Sequence, residues 1–296
     1  MDRMLKIFSG IISVLLLSCI TARAQVQVTV SILPQKYFVE RIGGDRVVVS
    51  VMVQPGAAPN VYEPKPRQMV RLSGSKIYFA IGVPFEDVWL DRIAAANSEM
   101  IVIHTDDGIE KLSMAAHSHG EEEHAVQDVH DEEGIKDPHI WLSPKLVMLQ
   151  ARHILTALIS ADPEHKDSYI ENYNSFIEDI TDLDTELLSL FSGQNAASEF
   201  IVFHPAWGYF ARDYGLTQIP IEIEGKEPKP VELTQLIQHA REHRIKTVFV
   251  QPQINPQSAA LIAREIGGGV VPADPLAEDW LENLRRVARQ FKESIK

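Results

Sequence analysis

The chain is almost without cysteine. Among 296 residues there is one, Cys19, and it falls in an N-terminal targeting segment, so the processed protein has no thiol and no disulfide. Long apolar runs are absent as well: beyond residue 24 nothing approaches the ~20 apolar residues that a spanning helix requires. Positive charge is scarce, with 28 Lys and Arg against 41 Asp and Glu and a formal net charge of −13. That balance argues against a nucleic-acid partner, whose phosphates select Lys and Arg, and suits a cationic ligand. No HExxH or nucleophile motif occurs. What remains is an ordinary globular composition, 45% hydrophobic, with room for two domains of about 100–150 residues.

The N-terminus reads as a secretory signal. Arg3 and Lys6 supply the positive start, 7–17 the apolar run, and Ala22-Arg23-Ala24 the A-x-A cleavage site. Cutting after Ala24 removes a net +2 and leaves −15 on a chain that begins at Gln25. A second reading is lipoprotein processing at Leu16-Leu17-Ser18-Cys19, with lipid on Cys19; Leu17 is unusual for that signal, and the soluble periplasmic form is preferred. Both readings export the chain.

Periodicity then divides the chain into two alternating halves. Strands are expected at 25–31, 47–53, 77–81 and 100–104, with helices at 34–42, 66–72 and 85–97 between them. In the second half strands are expected at 200–203, 219–223, 247–250 and 270–273, with helices at 207–214, 231–243, 256–266 and 279–295. Strands that alternate with helices imply parallel βαβ units. Helices are also expected at 144–160 and 163–190. The latter carries Tyr169, Tyr173, Phe176, Ile177, Ile180, Leu183, Leu187 and Leu190 at spacings of three and four, without internal Gly or Pro. The expected fold is α/β: two lobes, each a mostly parallel sheet flanked by helices, joined by this one long rigid helix. The division is a signal at 1–24, an N-terminal lobe at 25–160, a connecting helix at 161–192 and a C-terminal lobe at 193–296.

Chemistry concentrates at two places. Residues 117–133, HSHGEEEHAVQDVHDEE, hold four histidines (His117, His119, His124 and His130) and seven carboxylates. Such a segment is costly to fold and easy to solvate, and imidazole beside carboxylate is a capture surface for divalent metal. The other place is a set of four polar residues in loops that follow strands or precede helices: Asn60, His139, His204 and Asp274. Proline adjoins each of them and fixes the loops. Singly each has a plain reading: Asn60 as a turn residue beside Pro59, Asp274 as the N-cap of the last helix, the histidines as satisfied side chains. As a set, two from each half, they can converge on one point between the lobes, where two-lobed proteins bind ligands.

The motifs around these residues resemble the solute-binding proteins of zinc and manganese ABC transporters. The likeness runs from Ser31-Ile32-Leu33-Pro34 through Tyr62-Glu63-Pro64, Asp137-Pro138-His139-Ile140-Trp141-Leu142, His204-Pro205-Ala206-Trp207 and Ile223-Glu224-Gly225-Lys226-Glu227-Pro228 to Asp274-Pro275-Leu276. It implies two α/β lobes on a long helix, a metal site at Asn60, His139, His204 and Asp274, and a membrane permease as partner. It also implies that 117–133 is the acidic histidine-rich loop often carried by zinc-selective members. Zn2+ as transported ligand ranks first, because His204 stands where manganese-type members tend to have glutamate; Mn2+ or iron is the runner-up. One position departs: Asn60 replaces the histidine usual before the Val-Tyr-Glu-Pro stretch. Three outcomes follow from that change. Asn60 binds through its oxygen, water takes its place, or a loop histidine such as His117 or His119 swings in. Glu224 and Glu227 are candidates to orient the site. The resulting expectation is a monomeric periplasmic carrier, with no catalytic residues, that weakens its grip as pH falls through about 6.5, the ordinary imidazole value. The rival from another class is a zinc hydrolase, with Glu63 or Glu224 as base.

Overall fold

The computed structural model describes residues 25–114, 136–194, 198–222, 228–254 and 256–295. The four loop histidines, the signal segment, Glu224 and Glu227 lie outside them.

Two four-stranded sheets, both wholly parallel, form the two lobes. The first uses β1 (Val26–Val30), β2 (Val47–Val51), β3 (Ile77–Ala80) and β4 (Ile101–His104) in the order β2-β1-β3-β4. The second uses β5 (Glu199–Val202), β6 (Thr217–Pro220), β7 (Thr247–Val250) and β8 (Gly269–Pro272) in the order β6-β5-β7-β8. The halves share one topology without a shared sequence repeat. In each, the order reverses between the first and third strands, and the crevice beyond the carboxyl ends at that reversal is where α/β sheets take ligands. β-branched and aromatic residues build the central strands, as in VQVTV, IYFA and TVFV.

Nine α-helices occur among the described residues: α1 (Leu33–Gly43), α2 (Pro66–Leu72), α3 (Pro84–Ala96), α4 (Pro144–Ala161), α5 (Lys166–Leu190), α6 (Gly208–Tyr214), α7 (Pro230–Glu242), α8 (Pro256–Glu265) and α9 (Trp280–Ser294). Five of them open on proline, whose fixed φ suits the first helical turn and whose missing N–H would have had no partner there. α4 is further capped by the Ser143 side chain, which accepts from the Leu146 N–H at 3.3 Å.

Two sequence expectations need correction. The strand expected at 219–223 is β6 at Thr217–Pro220: polar Thr217 and Gln218 hide a strand that is specified by pairing with β5. The helix expected from 163 starts at Lys166, after a 3-10 turn at Pro163–His165 where the Asp162 carboxylate takes the His165 ring and the Tyr169 hydroxyl.

At 25 residues α5 is about 38 Å long. Its buried stripe, Tyr169, Phe176, Ile180, Leu183 and Leu187, keeps the expected three-and-four spacing. It packs on α1 and α4 of the first half and on α9 of the second. α9 bridges the halves too. Its Trp280 ring meets Phe38 edge-on at 5.1 Å in the first lobe, and its Phe291 ring stacks on Phe200 at 4.2 Å in the second. One hydrophobic core therefore runs from Val26 to Phe291 through both lobes, and a smaller one around Ile201, Val248 and Ile262 belongs to the second lobe alone. Among the described residues no helix is long and apolar enough to cross a membrane.

Candidate metal centre

His139 is placed by a rigid loop. Asp137 precedes proline, which favours extended backbone, and the chain then closes a 3-10 turn over Ile140–Leu142, all three buried. The turn is pinned to the other lobe at Trp141: its indole donates to the Pro275 carbonyl at 2.6 Å, and its own carbonyl accepts from the Trp280 indole at 2.7 Å. One oxygen of Asp137 accepts both the His139 backbone N–H, at 2.9 Å, and the ring Nδ1–H, at 2.7 Å. Burial pushes the His139 imidazole below the ordinary histidine value; the Asp137 carboxylate opposes this, and His204 adds to it.

His204 lies two residues past the end of β5. Its Nδ1 is bonded to Glu222 Oε2 at 2.8 Å. Because a carboxylate accepts, the proton sits on Nδ1 of each ring and the lone pair on Nε2. The two rings come from opposite lobes and meet at 5.3 Å between centroids, inclined by 73°. This is the arrangement of metal-ligating histidines: a carboxylate fixes tautomer and orientation and raises ligand basicity.

His139 and His204 line a cavity of about 270 Å³ together with Asn60, Pro138, Trp141 and Leu276. Asn60 lies exposed at the rim, in a 3-10 turn at Pro59–Val61. Asp274 lines the adjoining cavity, of about 240 Å³, and Leu276 is common to both. Asp274 Oδ1 accepts the Leu276 N–H at 2.9 Å and the Gln253 amide at 3.3 Å. It does not cap the last helix; Asp279 occupies that position. The structure thus brings three of the four expected residues into one cavity and stands the fourth beside it.

Sequence reasoning missed Asp137 and Glu222, and assigned the orienting role to Glu224 and Glu227. Asp137 was visible two residues before His139. Glu222 is level with His204 because the parallel register of β5 and β6 pairs each residue with the one 18 positions on. Behind the imidazoles, Asp137, Gly208, Gln218 and Glu222 line a further cavity. A Cβ at position 208 would come within 3.0 Å of Asp137 Oδ2, so the glycine leaves room for that carboxylate.

Fold and geometry define a two-lobed binding protein whose cleft faces a pair of oriented imidazoles. The profile of one family, described as zinc-uptake complex component A, periplasmic (ZnuA), matches residues 28–294, and the chain belongs to that family. It is accordingly a metal-binding solute-binding protein of the zinc-uptake type. A crystal structure of ZnuA superposes with a TM-score of 0.83 at 43% identity, over 92% of this chain and 100% of that one. The high-affinity zinc uptake system protein ZnuA of Bacillus subtilis is 26% identical over 82% of this chain and 76% of its own length. The iron-binding protein YfeA of Yersinia pestis is 27% identical over 80% and 74%.

Proposed function

We propose that this chain collects Zn2+ outside the cytoplasm and hands it to an ABC permease in the membrane. The observation that carries the reading is the His139–His204 pair: two imidazoles from opposite lobes, each with Nδ1 held by a carboxylate and Nε2 left for an ion. Nitrogen donors of this kind suit zinc better than manganese, which prefers oxygen. Asp274 supplies the third ligand from the adjoining cavity. The fourth position, at the rim beside Asn60, is taken by the Asn60 oxygen, by water or by a histidine of the 117–133 loop. The protein acts as a monomer in the periplasm after signal cleavage at Ala24. A hydrolase is disfavoured: Glu63 is exposed and does not line the cavity of the histidines.

The test is metal analysis of protein purified without added metal and without a histidine tag, followed by competition titration. Zinc at one tightly held equivalent, displaced by neither manganese nor iron, is expected; tight iron with weak zinc would favour the second reading, an iron carrier like the Yersinia relative. Hydrolysis of ester or phosphoester substrates that vanished in His139→Ala would overturn the carrier.

A further inference from the structure

A second group of metal-binding side chains lies away from the cleft. Glu199 opens β5, and His204 follows the same strand five residues on, roughly 16 Å along an extended chain. At the Glu199 end, the C-terminal turn of α7 delivers His239 and His243, which are four residues apart and so share one helix face. Glu199 Oε2 lies 2.8 Å from His239 Nε2 and 2.9 Å from His243 Nδ1. The two rings stack at 4.0 Å, inclined by only 24°. One atom from each of the three residues falls within 4.8 Å of the other two.

We infer that Glu199, His239 and His243 form a second site for a divalent ion of the zinc class, on the outer end of the C-terminal lobe and independent of the cleft. Two histidines at i and i+4 on a helix with one carboxylate from elsewhere are three ligands of a type zinc takes. In a tetrahedral zinc complex with bonds of about 2.0–2.2 Å, donor atoms sit roughly 3.4 Å apart. The Glu199 oxygen sits about half an ångström closer than that to each imidazole nitrogen, and a small rotation of the Glu199 side chain opens both gaps. The helix end adds to the attraction, since the last carbonyls of α7 carry partial negative charge that favours a cation. The nearby guanidinium does not compete for Glu199: Arg241 turns to α8, where it donates to the Glu265 carbonyl at 3.0 Å and stands 3.6 Å from its carboxylate. With His243 half exposed, solvent reaches the group and a water completes the coordination. An ion there would clip the end of α7 to the start of β5.

The full chain, crystallised and soaked in zinc, tests this by anomalous scattering at the zinc edge. A peak bonded to Glu199, His239 and His243, separate from any peak in the cleft, is expected. In solution, His243→Ala is expected to lower the number of zinc ions bound by one and to remove part of the zinc-induced rise in melting temperature, with circular dichroism confirming the fold. Glu199→Gln keeps the side-chain shape and is expected to weaken this ion at least about tenfold. His139→Ala is expected to leave it in place, so loss of the cleft ion and loss of this one are read separately. No anomalous density at the cluster, or equal zinc stoichiometry in His243→Ala and the unaltered protein, overturns the inference.

Discussion

The two imidazoles of the cleft are oriented by different means. His139 is held by a carboxylate two residues before it, which takes the backbone N–H and the ring together; the device is local and needs little more than the Asp-Pro-His turn. His204 is held by a carboxylate 18 residues later, brought level by strand register. The first arrangement would persist in a loosened chain; the second exists only once β5 and β6 have paired. Burial differs slightly in the same sense: the His139 side chain keeps 10% of its surface and the His204 side chain 15%. One lobe presents a fixed, dry ligand and the other a ligand whose aim depends on its sheet.

That contrast can be broken experimentally. The largest effect is expected from removing a ligand: His139→Ala or His204→Ala is expected to cost more than about 100-fold in zinc affinity by calorimetry, beyond the roughly 10–100-fold typical of losing an orienting partner. Equal, small losses at either position would take that histidine out of the site. Next come the carboxylates. Asp137→Asn and Glu222→Gln are each expected to cost about 10–100-fold. Asp137→Asn is the more damaging, because the same oxygen also holds the loop backbone. If Glu222→Gln proved the worse, the double duty of the Asp137 oxygen would not set the larger loss. Gly208→Ala is expected to push on Asp137 and cost about 1 kcal/mol of metal binding, roughly fivefold, with His204 unaffected.

The smallest effect is on stability against pH. His139 is held neutral in the folded protein, below its ordinary value of about 6.5. Between that value and the lowered one, the unfolded chain binds the proton and the folded chain does not, so stability rises with pH there. The metal-free protein is therefore expected to keep this contribution above pH 6.5 and to lose it progressively below. His139→Gln is expected to flatten that part of the denaturation profile; an unchanged profile would assign it to other groups.

The same contrast marks what could be read in the sequence. Strands and helices were legible because β-branched runs, Gly and Pro stops and the three-and-four stripe of α5 are written locally. His139 and His204 were legible because proline and strand ends bracket them. Glu222 was not, because register is a property of two strands at once, and polar Thr217 and Gln218 concealed the start of β6. The neighbouring glutamates at 224 and 227 drew the assignment instead. Asp274 was legible as a loop residue but not in its bonds: its Oδ1 ties Leu276 and Gln253 in the adjoining cavity. The second role of α9 was equally hidden, since nothing in its own periodicity says that Trp280 and Phe291 pack on different lobes.

That role has a mechanical consequence. A body spanned by a single strut can still twist about it, whereas here α5 and α9 both run across the waist, with indole hydrogen bonds and rings at one end and stacked phenylalanines at the other. Wide clamshell motion would have to tear a continuous core. Under the proposed function, loading and unloading then fall to small displacements of the loops at the rim, and a receiving membrane protein would have to prise the cargo loose rather than wait for the jaws to gape.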